Sequence, residues 1–442
     1  MIRRVRGFPS VFLALLLACA SVLVLNRYLI AHGFDTGSAR SWPFWEFEWG
    51  DPREGLAFLP LYLVCVAVLV VRVKRLCLAE SFALGSAIVL SGNLMQGGMH
   101  QAFVAPFIES GFQYYHDAIK IRDSWEWLRH FNTVQAGLLM HTRTHPPFGV
   151  LLHHIILRAG GGSVGLLSSV FVVLSLLSIP LLYAVCRQVG VTRQRASVIA
   201  GLLAVVPAFN IYSAVCLDGV IAMTSSIALL GITQVRAGGR PWAAVLLILG
   251  FLLTNMLTFA GLYLVPVLIG IVLYDARAGD WPRWKRPIAW LLAVAVLAYA
   301  LGLACGYDHL AALRTASRIE NPDGPLLFAH PVKYLMTRLE DLGEIVVFLL
   351  VPLAAILSQR GTAENTLARR STIVLAVAGS AAVILMFVTG AYRTGQTARG
   401  CLFLIPYVLP LLHSTEERSL KLLIGATAAQ TAGMQLCGRW FW

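Results

Sequence analysis

Apolar segments recur along the whole chain, near residues 10–30, 56–72, 80–98, 163–186, 196–214, 219–235, 241–256, 258–274, 287–305, 342–358, 371–389, 400–413 and 420–437. A helix needs about 20 apolar residues to cross a bilayer core, fewer where other helices surround it. In hydrocarbon every backbone N–H and C=O must find a protein partner, which leaves helices as the solution for a chain patterned this way. The expectation is an all-α polytopic membrane protein of about 13 transmembrane helices, one transmembrane domain over 1–442. Composition agrees: 58% of residues are hydrophobic and 13% charged, whereas soluble domains carry about 45–50% and about 25%. A soluble enzyme is excluded, and so is disorder, which needs low hydrophobicity and high charge. The eight cysteines show no CxxC or other metal spacing and read as small buried hydrophobes.

The formal charge of +13 would suggest a nucleic-acid partner in a soluble chain. In a membrane chain the question is which side the charge lies on. Arg3, Arg4 and Arg6 before the first apolar run predict a signal anchor with a cytoplasmic N-terminus, the alternative being a signal peptide cleaved near Ala18-Cys19-Ala20. Alternating sides from there puts 20 Lys and Arg and six acids in the cytoplasm, net +14, and 15 basic against 16 acidic residues outside, net −1. The basicity therefore orients the chain, and no nucleic-acid partner is expected. The long connections, 31–55, 99–162 and 306–341, all fall outside, where long ordered loops are usually functional.

The second of these loops holds the richest chemistry. Tyr115, Ala118, Ile119, Trp125 and Leu128 recur at helical spacing among charges, which predicts an amphipathic interfacial helix, with Tyr114, Tyr115, Trp125 and Trp127 in an aromatic belt. Pro146-Pro147 breaks the chain, and Phe148 to Leu157 is too short to span, so a second interfacial or re-entrant helix should end at Gly160-Gly161-Gly162. His141 and His145 are four apart, with His153 and His154 beyond. Pro146 argues against a helical metal pair, and no carboxylate completes a ligand set. Histidines near a phosphate- or sugar-bearing ligand fit better, beside a plain interfacial role.

Thr144-His145-Pro146-Pro147, followed by an apolar stretch, a Gly-rich break and a long span ending at Tyr183 to Arg187, resembles the polytopic C-type glycosyltransferases (GT-C). The similarity is to the branch of dolichyl-phosphate-mannose protein mannosyltransferases and lipid A aminoarabinose transferases. Two further stretches resemble that family and follow in its order: Pro207 to Ser213 with Asp218 five residues on, and Arg399 to Pro406. Together they cover roughly 109–412. The resemblance implies an inverting transfer of a sugar from a polyprenyl-phosphate donor to an extracytoplasmic acceptor (lipid, glycan or protein) in the bacterial inner (plasma) membrane. It implies no fixed cofactor; family members differ in whether a divalent cation assists.

One departure concerns the catalytic acid. The family's carboxylate pair would fall at Ser110, flanked by Glu109 and Asp117, so these two are the candidate bases, with Asp35, Glu46, Glu48 and Asp51 of the preceding loop in reserve. For the leaving phosphate, Arg399, Arg393, Arg143 and Lys333 are candidate cations, since a guanidinium can hold phosphate oxygens bidentately; the alternative is snorkelling to lipid headgroups. Asp218, at the outer end of a span where ionisable groups are costly, is expected to orient substrate, and His145 to line it. No Walker loop, HExxH or GxSxG is present. The rivals are a transporter or lipid-carrier flippase, disfavoured by the lack of internal repeats and by carboxylates gathered in loops, and an inactive relative. In a catalytic site Glu109, Asp117, His145, Asp218 and Arg399 should converge on one outward-facing cavity.

Overall fold

The computed structural model describes residues 7–37, 48–238, 241–322, 324–359, 367–390 and 397–440. Arg3, Arg4, Arg6, Glu46 and Arg393 lie outside them. The described chain is all-α apart from one antiparallel pair, Glu48–Trp49 with Gly438–Arg439. Seven helices are long and apolar enough to cross a membrane: Phe8–Ala31, Val164–Gln188, Leu217–Arg236, Phe259–Arg277, Pro282–Ala304, Pro331–Ser358 and Leu367–Val388. Shorter apolar helices include Leu59–Arg72, Leu78–Leu94, Phe148–Ala159 and Trp242–Leu257. The protein is therefore an integral membrane protein by the length and composition of its helices.

Local sequence explains where helices start. Pro9, Pro52, Pro60, Pro282 and Pro331 sit in first turns, where the missing N–H has no intrahelical use. Asp123, Ser163, Thr192 and Asp308 cap others with their side chains. The break at Pro146-Pro147 and the helix Phe148–Ala159 fall where expected. The third long loop is shorter than expected, because the following helix starts at Pro331 instead of 342 and takes Glu340, Asp341 and Glu344 into its buried face.

Leu217–Arg236 is the central helix, with 89% of its apolar window buried, whereas Phe8–Ala31 has none and turns its apolar surface outward. Gly231 and Gly250 fix that centre. A Cβ on Gly231 would lie 2.3 Å from the Leu247 backbone nitrogen, and one on Gly250 2.2 Å from that of Ala228. Leu217–Arg236 and Trp242–Leu257 thus touch backbone to backbone, the small-residue contact by which helices associate in lipid.

The bundle has two distinct ends. At one, the long loops meet: Lys333 pairs with Asp35, Asn132 with Asp308, and Arg439 with Glu54. At the other, Lys74 pairs with Glu417 and Arg236 with Asp275.

Candidate functional site

The site begins with the first turn of the central helix. Asp218 there forms an ion pair with Arg399 Nε at 3.1 Å, and the Cys216 thiol donates to the same carboxylate oxygen at 3.0 Å. Arg399 belongs to the turn Thr397–Gly400, held by the helix Pro331–Ser358: the Thr397 hydroxyl donates to Asp341 at 2.6 Å and the Ala398 N–H to Glu344 at 3.0 Å. Asp341 in turn forms an ion pair with Arg338 at 3.0 Å.

The second long loop supplies the opposite wall. Tyr114 is buried and gathers three imidazoles: His141 and His153 stack on it, with ring centroids 5.9 and 5.3 Å away, and His145 meets it edge-on at 5.7 Å. Gly149, at the start of the helix after Pro146-Pro147, leaves room for Tyr114 and for Leu217, the neighbour of Asp218. His145 Nδ1 donates to the His141 carbonyl at 3.0 Å, so its Nε2 is the nitrogen left for a ligand. The same packing sets protonation. Burial pushes His141 well below the usual imidazole range, and the Arg399 and His145 charges push the same way. Burial lowers His145 too, with Asp218 pulling it back up and Arg399 opposing that. Both are neutral at pH 7. Tyr114 is raised by burial and, next, by Asp218. Two neutral histidines and a phenol thus face one ion pair.

Beside the pair runs a narrow cleft of about 20 Å³, lined by Gln96, Gln113, Tyr212, Cys216, Arg399 and Trp440 among others. Trp440 reaches it because Gly438–Arg439 pairs with Glu48–Trp49, and its backbone N–H donates to Gln96 at 2.9 Å.

The residues singled out by sequence divide into two groups. Asp218, Arg399 and His145 share the site. Arg143 lies two residues before His145, partly buried, and its Nε has no hydrogen-bond partner among the described residues. Asp117 is buried but engaged in its own loop, accepting from the Leu139 N–H at 3.0 Å and from Lys120 at 3.2 Å. Glu109 pairs with His100 at 2.7 Å on the surface. Neither has a described contact with Arg399 or Asp218. Lys333 pairs with Asp35 at 3.0 Å, where the first and third loops meet. Asp51 caps a short turn through the Arg53 N–H, and Glu48 contributes backbone to the strand pair. Among the described residues no three His, Cys, Asp or Glu side chains gather as a metal-ligand set.

Sequence reasoning missed several contributors. Tyr114 was expected in an aromatic belt, but its ring is the hub of the histidine cluster, while Trp125 is the exposed aromatic. Cys216, expected as a small hydrophobe, hydrogen-bonds Asp218. Asp341 and Glu344 were assigned to a loop and its edge; their three-residue spacing directly before the apolar run from Ile345 was the available signal. Comparison with protein-family models, with curated proteins and with solved structures gave no match.

Proposed function

We propose that this protein is an inverting GT-C-type glycosyltransferase of the cell envelope, moving a sugar from a polyprenyl-phosphate donor to an extracytoplasmic acceptor. The observation that carries the reading is convergence: Arg399, Asp218 and the His145-Pro146-Pro147 element, from three separate stretches that resemble the family, meet at one end of the bundle beside a cleft. A span count of 13 is part of the proposal. It is supported by parity, since the strand pair joins the segment after the first helix to that after the last, which requires an even number of crossings between them. It is also supported by the salt bridges, each of which among the described residues joins two groups expected on the same side.

In the proposed reaction the acceptor oxygen attacks the anomeric carbon, the bond from that carbon to the phosphate oxygen breaks, and the phosphate leaves with the electron pair. The acceptor proton passes to a carboxylate; Asp117 and Glu109 are the candidates by sequence position, and neither has a described contact with the Arg399–Asp218 pair. Arg399, with Arg143 nearby in sequence to His145, supplies positive charge for the leaving phosphate. His145 and Asp218 orient the donor. The tail of the donor lies along lipid-facing helices.

The test is transfer of label from polyprenyl-phosphate sugars by the protein in nanodiscs. The true base, replaced as Asp117→Asn or Glu109→Gln, should lose about 10²–10⁴-fold in rate; full activity in both variants would sink the base assignment. One observation favours a transport reading, the buried carboxylates of Pro331–Ser358. Accumulation of substrate in sealed vesicles without a new glycosidic bond would decide for it.

A further inference from the structure

Carboxylates inside a membrane-spanning helix are costly and mark function unless something pairs them. Asp341 and Glu344 are at most 2% exposed. They stand three residues apart, which places them on one face of the helix. That face meets the chain at Thr397 and Ala398, immediately before Arg399. Asp341 receives the Thr397 hydroxyl, Glu344 receives the Ala398 N–H, and Arg338, one turn earlier, holds Asp341 from the other side at 3.0 Å. Each carboxylate thus fixes one group of the turn that carries Arg399.

We propose that Asp341 and Glu344 are positioning residues that aim Arg399 at Asp218 and at the cleft. A guanidinium on a free turn would sample many orientations; one whose preceding two residues are bonded to a buried helix face has few. The work done by Arg399 on a phosphate rests on the function proposed above, whereas the positioning contacts do not.

The experiment therefore reads Arg399 directly. The full-length protein in nanodiscs is treated with phenylglyoxal, and modification of each arginine is followed by peptide mass spectrometry. Arg399, paired and 11% exposed in its side chain, should react slowly. Glu344→Ala, Asp341→Ala and Thr397→Val should each raise its rate about fivefold, the weight of roughly one hydrogen bond. Glu344→Gln, which keeps an acceptor oxygen for the Ala398 N–H, should stay near wild type. Arg236, paired at the far end of the same central helix, is the internal reference. An unchanged rate at Arg399 in the alanine variants would overturn the proposal, as would an equal rise at Arg236 or a failure of Gln to rescue. Thr397→Val probes the contact from the other side where loss of a carboxylate impairs folding. Undecaprenyl phosphate should protect Arg399 in the wild type. Lack of protection would count against the glycosyltransferase reading and leave the rate comparison to judge the positioning.

Discussion

The central helix Leu217–Arg236 carries an Arg–Asp pair at each end, and the two differ in what surrounds the bond. At the far end Arg236 Nε meets Asp275 at 2.9 Å, the Trp284 indole donates to the other carboxylate oxygen at 3.2 Å, and the guanidinium lies over Tyr274 with 5.2 Å to its centroid. At the site end Arg399 meets Asp218 at 3.1 Å with a thiol as the second donor. Burial does not separate them: side-chain exposures are 16% and 5% in the first pair, 11% and 19% in the second. What separates them is the surroundings. The Arg236 pair is packed between helices, while the Arg399 pair borders a cleft and faces neutral histidines and a phenol. A buried ion pair is weak evidence for either stability or function by itself; its neighbours decide which.

The widest separation between the two should come from truncation. Arg399→Ala is expected to reduce transfer by about 10²–10³-fold, the scale on which a single preorganised donor at a developing charge matters, with little change in the melting temperature. Arg236→Ala should do the reverse. It strands Asp275 and costs about 3 kcal/mol of stability, read as a lower unfolding temperature in detergent, while the protein that remains folded transfers at a rate within about twofold of wild type. If Arg236→Ala abolished transfer in folded protein, the contrast between the ends would fail.

Much of this architecture was legible beforehand, and the parts that were not share a cause. Periodicity and length carry spans, and proline and glycine carry breaks, so the helix Phe148–Ala159 and the loop pairing of Asn132 with Asp308 fell within expected segments. Charge by side grouped the three long connections together, and residues of these segments pair with one another. Asp218, Arg399 and His145 were reached through the resemblance and through the cost of burying charge. Tyr114, Cys216 and Asp341 were misread because each has an ordinary local explanation: an interfacial aromatic, a small hydrophobe, a loop acid. Contacts outside the local pattern give them another role: Tyr114 meets histidines 27 to 39 residues on, Cys216 bonds Asp218, and Asp341 accepts from Thr397, 56 residues away. Asp117 shows the converse. Its sequence position suggested catalysis, and its described contacts tie Leu139 and Lys120 to the loop.

A smaller effect should separate the ends by pH. His141 and His145 are neutral in the fold because burial holds both below the usual imidazole value of 6.5. The unfolded chain binds more protons below that value, so the stability they contribute is complete above pH 6.5 and is lost as pH falls through the interval between the unfolded and folded values. Melting temperatures between pH 8 and pH 5 should decline on the acid side, and His141→Gln should flatten the decline. A decline that persists unaltered in His141→Gln combined with His145→Gln would assign the acid sensitivity elsewhere. The Arg236 pair, with no imidazole among its described partners, should contribute nothing to that slope.

The smallest effect is expected at Lys333, the last of the four cations that sequence placed beside the phosphate. Lys333 pairs with Asp35 at 3.0 Å, its stem lying against Gly37, but the Asp35 side chain is 71% exposed and the pair sits in the junction of two loops. Lys333, by donating to it, and the Gly37 N–H hold the Asp35 carboxyl below the usual range. In that setting an ion pair is worth less than about 1 kcal/mol and weakens with salt. Lys333→Ala should therefore leave both melting temperature and transfer close to wild type, in contrast to Arg399→Ala. A loss of transfer on the scale of Arg399→Ala, measured with the same donor at the same ionic strength, would move the phosphate to the junction of the first and third loops. The buried pair on the central helix would then be scaffolding at both of its ends.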